Sequence, residues 1–390
     1  MSEKQLEKKY TNETTAEFVQ RVCNQKDELD LSWREVASFV NTEVNLDYSP
    51  QFYRKHYLDG TIVEALSKNS DKNKLLKIQK QRVKLADELN QNRQYVKQLA
   101  REETLYEIAM DYAKKMNKRK QIVPCKSDYY NDEKSEKEGI LLLSDWHYGI
   151  ECDNSWNQFS PEICKQRVSK LLSEVIKLII ENKIHHVTVL NLSDLISGRI
   201  HSTIRIQNRV DVITQTMDVA EILSEFLAEL NTYCSVDYYD CCDNHSRVEP
   251  NKKESLRSES FTRFIPWYLA ERLKEFESIH INGHEFSDDI ITCSVQGHNV
   301  IAVHGHQDNL ATALEKLSQV THKHFDLLCM GHNHHFTVEE QYHCVVVCNS
   351  SLMGVDDHTT TLRKSTRPSQ TFIITTEKNQ CYSLHRILLD

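Results

Sequence analysis

The stretch Leu327–Phe336, "LLCMGHNHHF", places His332, His334 and His335 behind an apolar run, and four earlier stretches share that arrangement. Asp145 and His147 follow "GILLL", Asp194 follows "HHVTVLNLS", Asn244 and His245 follow "SVDYYDCCD", and His304 follows "NVIAV". Each apolar, β-rich run predicts a strand, and residues at the carboxyl ends of strands in α/β proteins are where ligands bind. Carboxylate, imidazole and amide oxygen are the ligands that hard and borderline divalent cations take. A thiolate site would need paired cysteines, and no C-x-x-C occurs. The set is larger than one ion with an open coordination position requires, and it suits two ions sharing a carboxylate.

The elements that must deliver these residues alternate. Helical patterns fill the gaps, "CKQRVSKLLSEVIKLIIEN" ending at Asn182 and "VITQTMDVAEILSEFLAELN" ending at Asn231. Residues 139–390 therefore read as an α/β domain. The closing stretches "HCVVVCNSS", "QTFIITTEK" and "CYSLHRILLD" predict further strands, expected to make a second sheet.

Residues 1–60 predict a helical domain. Ser32 with Glu35 is a capping box that opens "SWREVASFVN", in which Trp33, Val36, Ala37 and Val40 share a face. Ser49 and Pro50 start "SPQFYRKHYLDG", which stops at Gly60. Two capped helices in this order, the second carrying Arg54, Lys55 and His56, fit a helix-turn-helix whose second helix enters a DNA groove, and equally a plain packing domain. Between Gly60 and Pro124 there is neither glycine nor proline. Positions spaced alternately three and four apart, Leu75, Ile78, Arg82, Leu85, Leu89, Asn92, Val96, Leu99, Glu103, Tyr106, Met110 and Ala113, are mostly apolar. Residues 61–123 thus predict one long connector helix with an imperfect heptad seam, through which the chain would form a homo-oligomer or pack on the next domain.

Charge is uneven. Residues 61–121 hold 15 Lys/Arg against 8 Asp/Glu, a net of +7 in a chain whose total is -9, which leaves -16 for the rest. That excludes a uniformly basic nucleic-acid binder, while the basic connector could face phosphates or simply water. The 39% apolar and 27% charged composition predicts a soluble globular protein. No apolar run approaches the roughly 20 residues a membrane span needs, and "MSEKQLEKKY" lacks a signal-peptide core, so a cytoplasmic protein with no membrane partner is expected. Its twelve scattered cysteines are expected to be reduced.

The order D-x-H, D, N-H, H, G-H-x-H, each element at a predicted strand end, resembles the calcineurin-like metallophosphoesterase family over residues 139–390. The resemblance implies a sandwich of two β-sheets flanked by helices, here preceded by an all-α N-terminal region. It further implies that Asp145, His147 and His334 hold one metal ion, that Asn244, His304 and His332 hold the other, and that Asp194 bridges them. His245 would be the catalytic histidine beside the scissile phosphate. Where the family usually has glycine before the second aspartate, glycine before the Asn-His pair and often an acidic residue after it, this chain has Ser193, Asp243 and Ser246. The text "DLISGRIHSTIRIQNR", with "DNHSRV", "NKKES" and "NSSLMG", resembles a phage-associated branch related to DNA-repair exonucleases.

These relatives imply two divalent cations, Mn²⁺ favoured, with Fe²⁺, Zn²⁺ or Mg²⁺ also compatible with the ligand set. They imply hydrolysis of phosphodiesters, with DNA as the expected substrate and partner. Arg199, His201, Arg247 and His306 adjoin the motifs and are candidate phosphate contacts. Two other outcomes stay open from sequence: a phosphatase or small-molecule or cyclic-nucleotide phosphodiesterase, and an inactive DNA-binding or scaffold protein.

Overall fold

The computed structural model describes residues 6–116, 119–130, 135–200, 202–257, 259–356, 359–360, 363, 366–378 and 382–390. It forms two compact units, Met1–Glu103 and Thr104–Asp390.

The first unit begins with α1 (Thr15–Asn24), α2 (Trp33–Val44) and α3 (Pro50–Leu58). Side-chain caps start all three: Thr14 and Ser32 each form a full capping box, with Glu17 and Glu35, and Ser49 caps a helix whose first residue is Pro50. Phe18, Val22, Val36, Val40 and Tyr53 bury the faces that these helices share with the start of α4 (Ile62–Met116) at Ile62. Asn41 ties the α2–α3 turn, donating from Nδ2 to the Tyr48 carbonyl at 2.9 Å while its Oδ1 accepts the Tyr53 hydroxyl at 2.6 Å. Arg54 and Lys55 lie exposed on α3.

Helix α4 runs for 55 residues, and every residue from 75 to 96 is exposed. The expected seam residues Leu75, Ile78, Leu85, Leu89 and Val96 are thus exposed on the single chain. Seam side chains Leu99, Glu103, Tyr106 and Ala113 are outside those described.

The second unit threads β1 (Glu138–Leu143), the short ribbon β2 (Cys152–Asp153) and β3 (Gln158–Phe159), α5 (Pro161–Asn182), β4 (His186–Asn191), α6 (Ser202–Gln207), α7 (Val212–Asn231), β5 (Ser235–Asp240), α8 (Phe264–Arg272) and β6 (Ile279–Ile281). It continues through β7 (Ile290–Val295), β8 (His298–Val303), α9 (Ala313–Thr321), β9 (Leu327–Met330), β10 (Thr337–Gln341), β11 (Cys344–Cys348), β12 (Ser369–Thr375) and β13 (Tyr382–Leu388). One sheet has the order β13-β12-β1-β4-β5-β6 and the other β10-β11-β9-β8-β7. In the first, β1, β4, β5 and β6 are parallel; in the second, β8, β9 and β11 are.

Strands buried on both faces read as continuous apolar runs, and here alternate residues serve alternate layers. Ile140 and Leu142 of β1 meet Val300 and Ala302 of β8 and Leu327 and Cys329 of β9 between the sheets. Leu141 and Leu143 face α5 and α7 instead, and Ile301, Val303, Leu328 and Met330 face α9. The result is the expected sandwich of two sheets flanked by helices. One expectation needs correcting. Of the three closing stretches only β11 enters the second sheet; β12 pairs antiparallel with β1, and β13 with β12, so both extend the first.

Candidate metal centre

Because β1, β4, β5, β8 and β9 all run the same way within their sheets, their carboxyl ends share an edge, and the loops leaving them converge. Asp145, His147 and His334 each offer a ligand atom within 4.8 Å of the others; so do Asp194, His304 and His332. A third such group, His147, Asp194 and His245, joins the first two. His147 Nε2 is 3.1 Å from His334 Nε2, which is 3.3 Å from Asp145 Oδ1. His304 Nε2 is 3.1 Å from both Asp194 Oδ2 and Asn244 Oδ1. Bonds of about 2.0–2.2 Å to a common cation put neighbouring ligands about 3–3.5 Å apart, so these groups are spaced to be able to hold a metal ion. Asp194 Oδ2 is also 4.0 Å from the Nε2 atoms of His147 and His245, so a single oxygen faces both groups.

Each carboxylate has one oxygen tied and one left over. Asp145 Oδ2 accepts the His332 N–H at 3.2 Å, and Asp194 Oδ1 accepts the His245 N–H at 3.3 Å. Asp145 Oδ1 and Asp194 Oδ2 are buried and face imidazole nitrogens, His334 Nε2 at 3.3 Å and His304 Nε2 at 3.1 Å. A buried anionic oxygen costs several kcal/mol unless positive charge compensates it. The donor set and these two buried oxygens fit divalent cations.

The titration of these groups follows the same logic. Burial would raise Asp194, but His304 above all, with His245 and His147, holds it well below the usual carboxylate range. Burial works against Asp145 too, and His334 lowers it. Burial would lower His304, yet Asp194 pushes it up to about 10, whereas burial takes His147 down to about 3 and His332 to about 4. The His304 imidazolium thus supplies charge that Asp194 needs, a role a divalent cation would take over. Two ring orientations are set by backbone acceptors: His304 Nδ1 lies 2.7 Å from the Leu192 carbonyl and His245 Nδ1 2.9 Å from that of Ser197. A proton on each Nδ1 leaves Nε2 facing the centre.

The loops carrying these residues are bent in a way the strands are not. Asp145, His147, Ser193, Asp194, His332 and His334 all have left-handed backbone, φ between 46° and 71°. Asp and His tolerate that region better than most residues, but each instance still costs about 1–3 kcal/mol and persists only where the surroundings impose it. Here they do. Asp145 N–H donates to the Ser193 carbonyl at 2.9 Å and His147 N–H to that of Asp194 at 3.0 Å, so the first two loops hold each other. The Ser351 hydroxyl donates to the Asp145 carbonyl at 2.9 Å. Gln370 on β12 accepts the Ser144 N–H at 2.8 Å and donates to its carbonyl at 3.2 Å. Gly198, at φ 69°, packs so closely on the His245 carbonyl that any Cβ there would overlap it.

Other sequence candidates are placed as follows. Arg199 donates twice to the Val248 carbonyl, at 3.2 and 2.7 Å, and so staples the loop after His245. Arg247 donates to the Pro250 carbonyl at 3.3 Å. His306 lies beside the second group, ring centroids 5.4 Å from His304 and 6.3 Å from His332, and its buried Nδ1 has no hydrogen-bond partner among the described residues. His335 is exposed. His201 lies outside the described residues.

Supporting residues escaped the sequence reading. Arg167 on α5 is buried and donates to the Met353 carbonyl at 2.6 Å and to Asn157 Oδ1 at 2.8 Å, stapling the segment that contains Ser351. Its signal was available: it falls on the apolar stripe of Cys164, Val168 and Leu171. Gln370, inside "QTFIITTEK", carried none.

Among known proteins, residues 2–70 match the family described as the YonJ N-terminal domain. The chain is 24% identical over 378 residues to the SPbeta prophage-derived uncharacterized protein YonJ of Bacillus subtilis (strain 168), covering 91% of each. Among solved structures it is similar to a novel archaeal phosphodiesterase, with TM-score 0.33, 12% identity, and 64% of this chain and 99% of that one covered. Vps29 from Entamoeba histolytica complexed with zinc gives TM-score 0.32 and 12% identity over 65% and 99%. A predicted phosphoesterase from Streptococcus pneumoniae gives TM-score 0.27 and 9% identity over 64% and 98%.

Proposed function

We propose that this protein is a metal-dependent phosphodiesterase that uses two divalent cations sharing Asp194, Mn²⁺ favoured, and that its substrate is DNA. The observation that carries the metal reading is the pair of buried carboxylate oxygens, Asp145 Oδ1 and Asp194 Oδ2, that face imidazole nitrogens at 3.3 and 3.1 Å. When bound, two such cations supply a deprotonated water and neutralise the phosphate oxygens during in-line displacement. Asp145, His147 and His334 would hold one cation, and Asn244, His304 and His332 the other. His245 keeps Nε2 towards the centre by bonding Nδ1 to Ser197, so it can carry a proton to the leaving oxygen. The uncharged Asn244 keeps the centre attractive to an anionic ester.

Support for a polyanionic substrate comes from the loop after His245, where Lys252 and Lys253 are exposed, and from the basic excess of residues 61–121. The prophage origin of the Bacillus relative is in keeping with a nucleic-acid substrate. End-labelled single- and double-stranded DNA and RNA, incubated with Mn²⁺ and resolved by length over time, tests the reading. Shortening of DNA that stops with chelator supports it. Intact DNA beside a cleaved chromogenic diester or cyclic nucleotide moves the substrate to small phosphoesters. No hydrolysis with any metal leaves a binding or scaffold protein.

A further inference from the structure

Asp243 is a buried carboxylate next to the centre that contributes no oxygen to either ligand group. Its Oδ2 accepts the Ser193 hydroxyl at 2.7 Å and the Asp194 N–H at 3.1 Å. Its Oδ1 accepts the Ser246 N–H at 2.7 Å and the Ser246 hydroxyl. One carboxylate therefore gathers four donors from two loops, the one leaving β4 and the one leaving β5. Ser246 extends the clasp, its hydroxyl lying 2.6 Å from that of Ser260 and 3.0 Å from that of Thr262. What the clasp grips is the most bent point of the centre: Ser193 and Asp194 are consecutive left-handed residues, φ 71° and 51°. No glycine supplies that bend, so something else must.

We propose that Asp243 is the positioning residue of the centre, clasping Ser193 and Asp194 so that Asp194 Oδ2 stays aimed between the two histidine groups and thereby setting cation affinity. The proposal rests on the two-cation reading given above. It explains why a carboxylate stands at 243, since an amide offers one acceptor oxygen for the same four donors. It also couples 243 to 193. Ser193 provides the hydroxyl that the clasp holds, whereas a glycine at 193 would adopt φ 71° unaided and make the clasp less necessary.

The test uses the full chain and four variants, Asp243→Asn, Asp243→Ala, Ser193→Gly and Ser193→Gly combined with Asp243→Asn. Mn²⁺ affinity is read by calorimetry and by the EPR signal of free Mn²⁺, folding by thermal melting, and kcat and KM on a chromogenic diester. Asp243→Asn should weaken Mn²⁺ binding by about 10- to 100-fold, the range typical of groups that orient metal ligands. It should lower kcat at fixed Mn²⁺ and leave KM within about twofold, with Asp243→Ala worse. Ser193→Gly alone is the reference for the double variant, and adding Asp243→Asn to it should lower affinity much less than Asp243→Asn does in wild type, so that the double variant binds more tightly than Asp243→Asn. Should Asp243→Ala fail to fold, Asp243→Asn carries the comparison. Wild-type affinity in a folded Asp243→Asn protein, or a double variant no better than Asp243→Asn, overturns the clasp. If wild type binds Mn²⁺ but hydrolyses no phosphodiester, the phosphoesterase reading fails, and the affinity series still decides the clasp.

Discussion

The three capped helices before α4 and the five loops at the strand ends are held in opposite ways. In the helices each local choice agrees with the outcome: Thr14, Ser32 and Ser49 cap their own helices three residues on, and the left-handed residues, Asp30, Asn45 and Gly60, lie outside the helices, Asn45 as the C-cap of α2. At the centre the local choices disagree with the outcome. Asp, Ser and His occupy left-handed backbone next to one another, and their restraint comes from far away in sequence: Ser351 and Gln370 hold the Asp145 loop across 206 and 226 residues, and Asp243 holds Asp194 across 49. Packing accumulates from neighbours, whereas a strained, charged site needs opposing walls already in place.

The sharpest way to break this contrast is at its charged middle. Asp194→Ala should abolish hydrolysis, by about 10³-fold or more given that outer partners alone are worth 10- to 100-fold, and should empty both cation positions in metal analysis. Retention of two ions would mean that Asp194 does not join the groups. His245→Ala comes next: turnover should fall about 10²- to 10⁴-fold with metal content unchanged. Metal loss there would make His245, whose Nε2 is 4.0 Å from Asp194 Oδ2, a ligand instead.

Smaller effects sharpen the contrast. Gln370→Leu leaves the Ser144 N–H and carbonyl buried with fewer partners, and should cost about 1–3 kcal/mol in denaturant unfolding while weakening Mn²⁺ binding. If stability falls and Mn²⁺ affinity does not, the distant walls serve the fold rather than the site. Ser32→Ala, removing one capping box, should cost about 0.5–2 kcal/mol of helical stability and leave hydrolysis of a small diester at wild-type rate. A change in that rate would show that the helices matter to the chemistry after all.

What could be read beforehand divides along the same line. Strand ends, caps and the two long helices of the α/β unit are written locally, in apolar runs, Ser/Thr–x–x–Glu spacings and a 3.6-residue period, and the motif order assembled Asp145, His147, Asp194, Asn244, His245, His304, His332 and His334 in advance. Sheet membership was not local: "QTFIITTEK" reads as a strand anywhere, and only its register with β1, Leu141 opposite Phe372, puts it in the first sheet. Nor was the role of Arg199. Its position beside a motif suggests phosphate, and the fold also brings it the Val248 carbonyl, a partner 49 residues away that no local pattern announces. Asp243 and Ser193 looked like departures from a pattern, and each became intelligible only as the other's partner.

The pairing of β12 with β1 has a consequence for how the protein is made. All eight residues of the candidate centre precede Ser369, so they leave the ribosome before the strand that carries Gln370 does. Until β12 emerges, β1 lacks its antiparallel neighbour and Ser144 lacks both bonds to Gln370, so the Asp145 loop is held by fewer restraints. A nascent or truncated chain would therefore own every ligand and still hold cations poorly. Translation order itself would delay metal loading, and with it hydrolysis, until β12 has emerged.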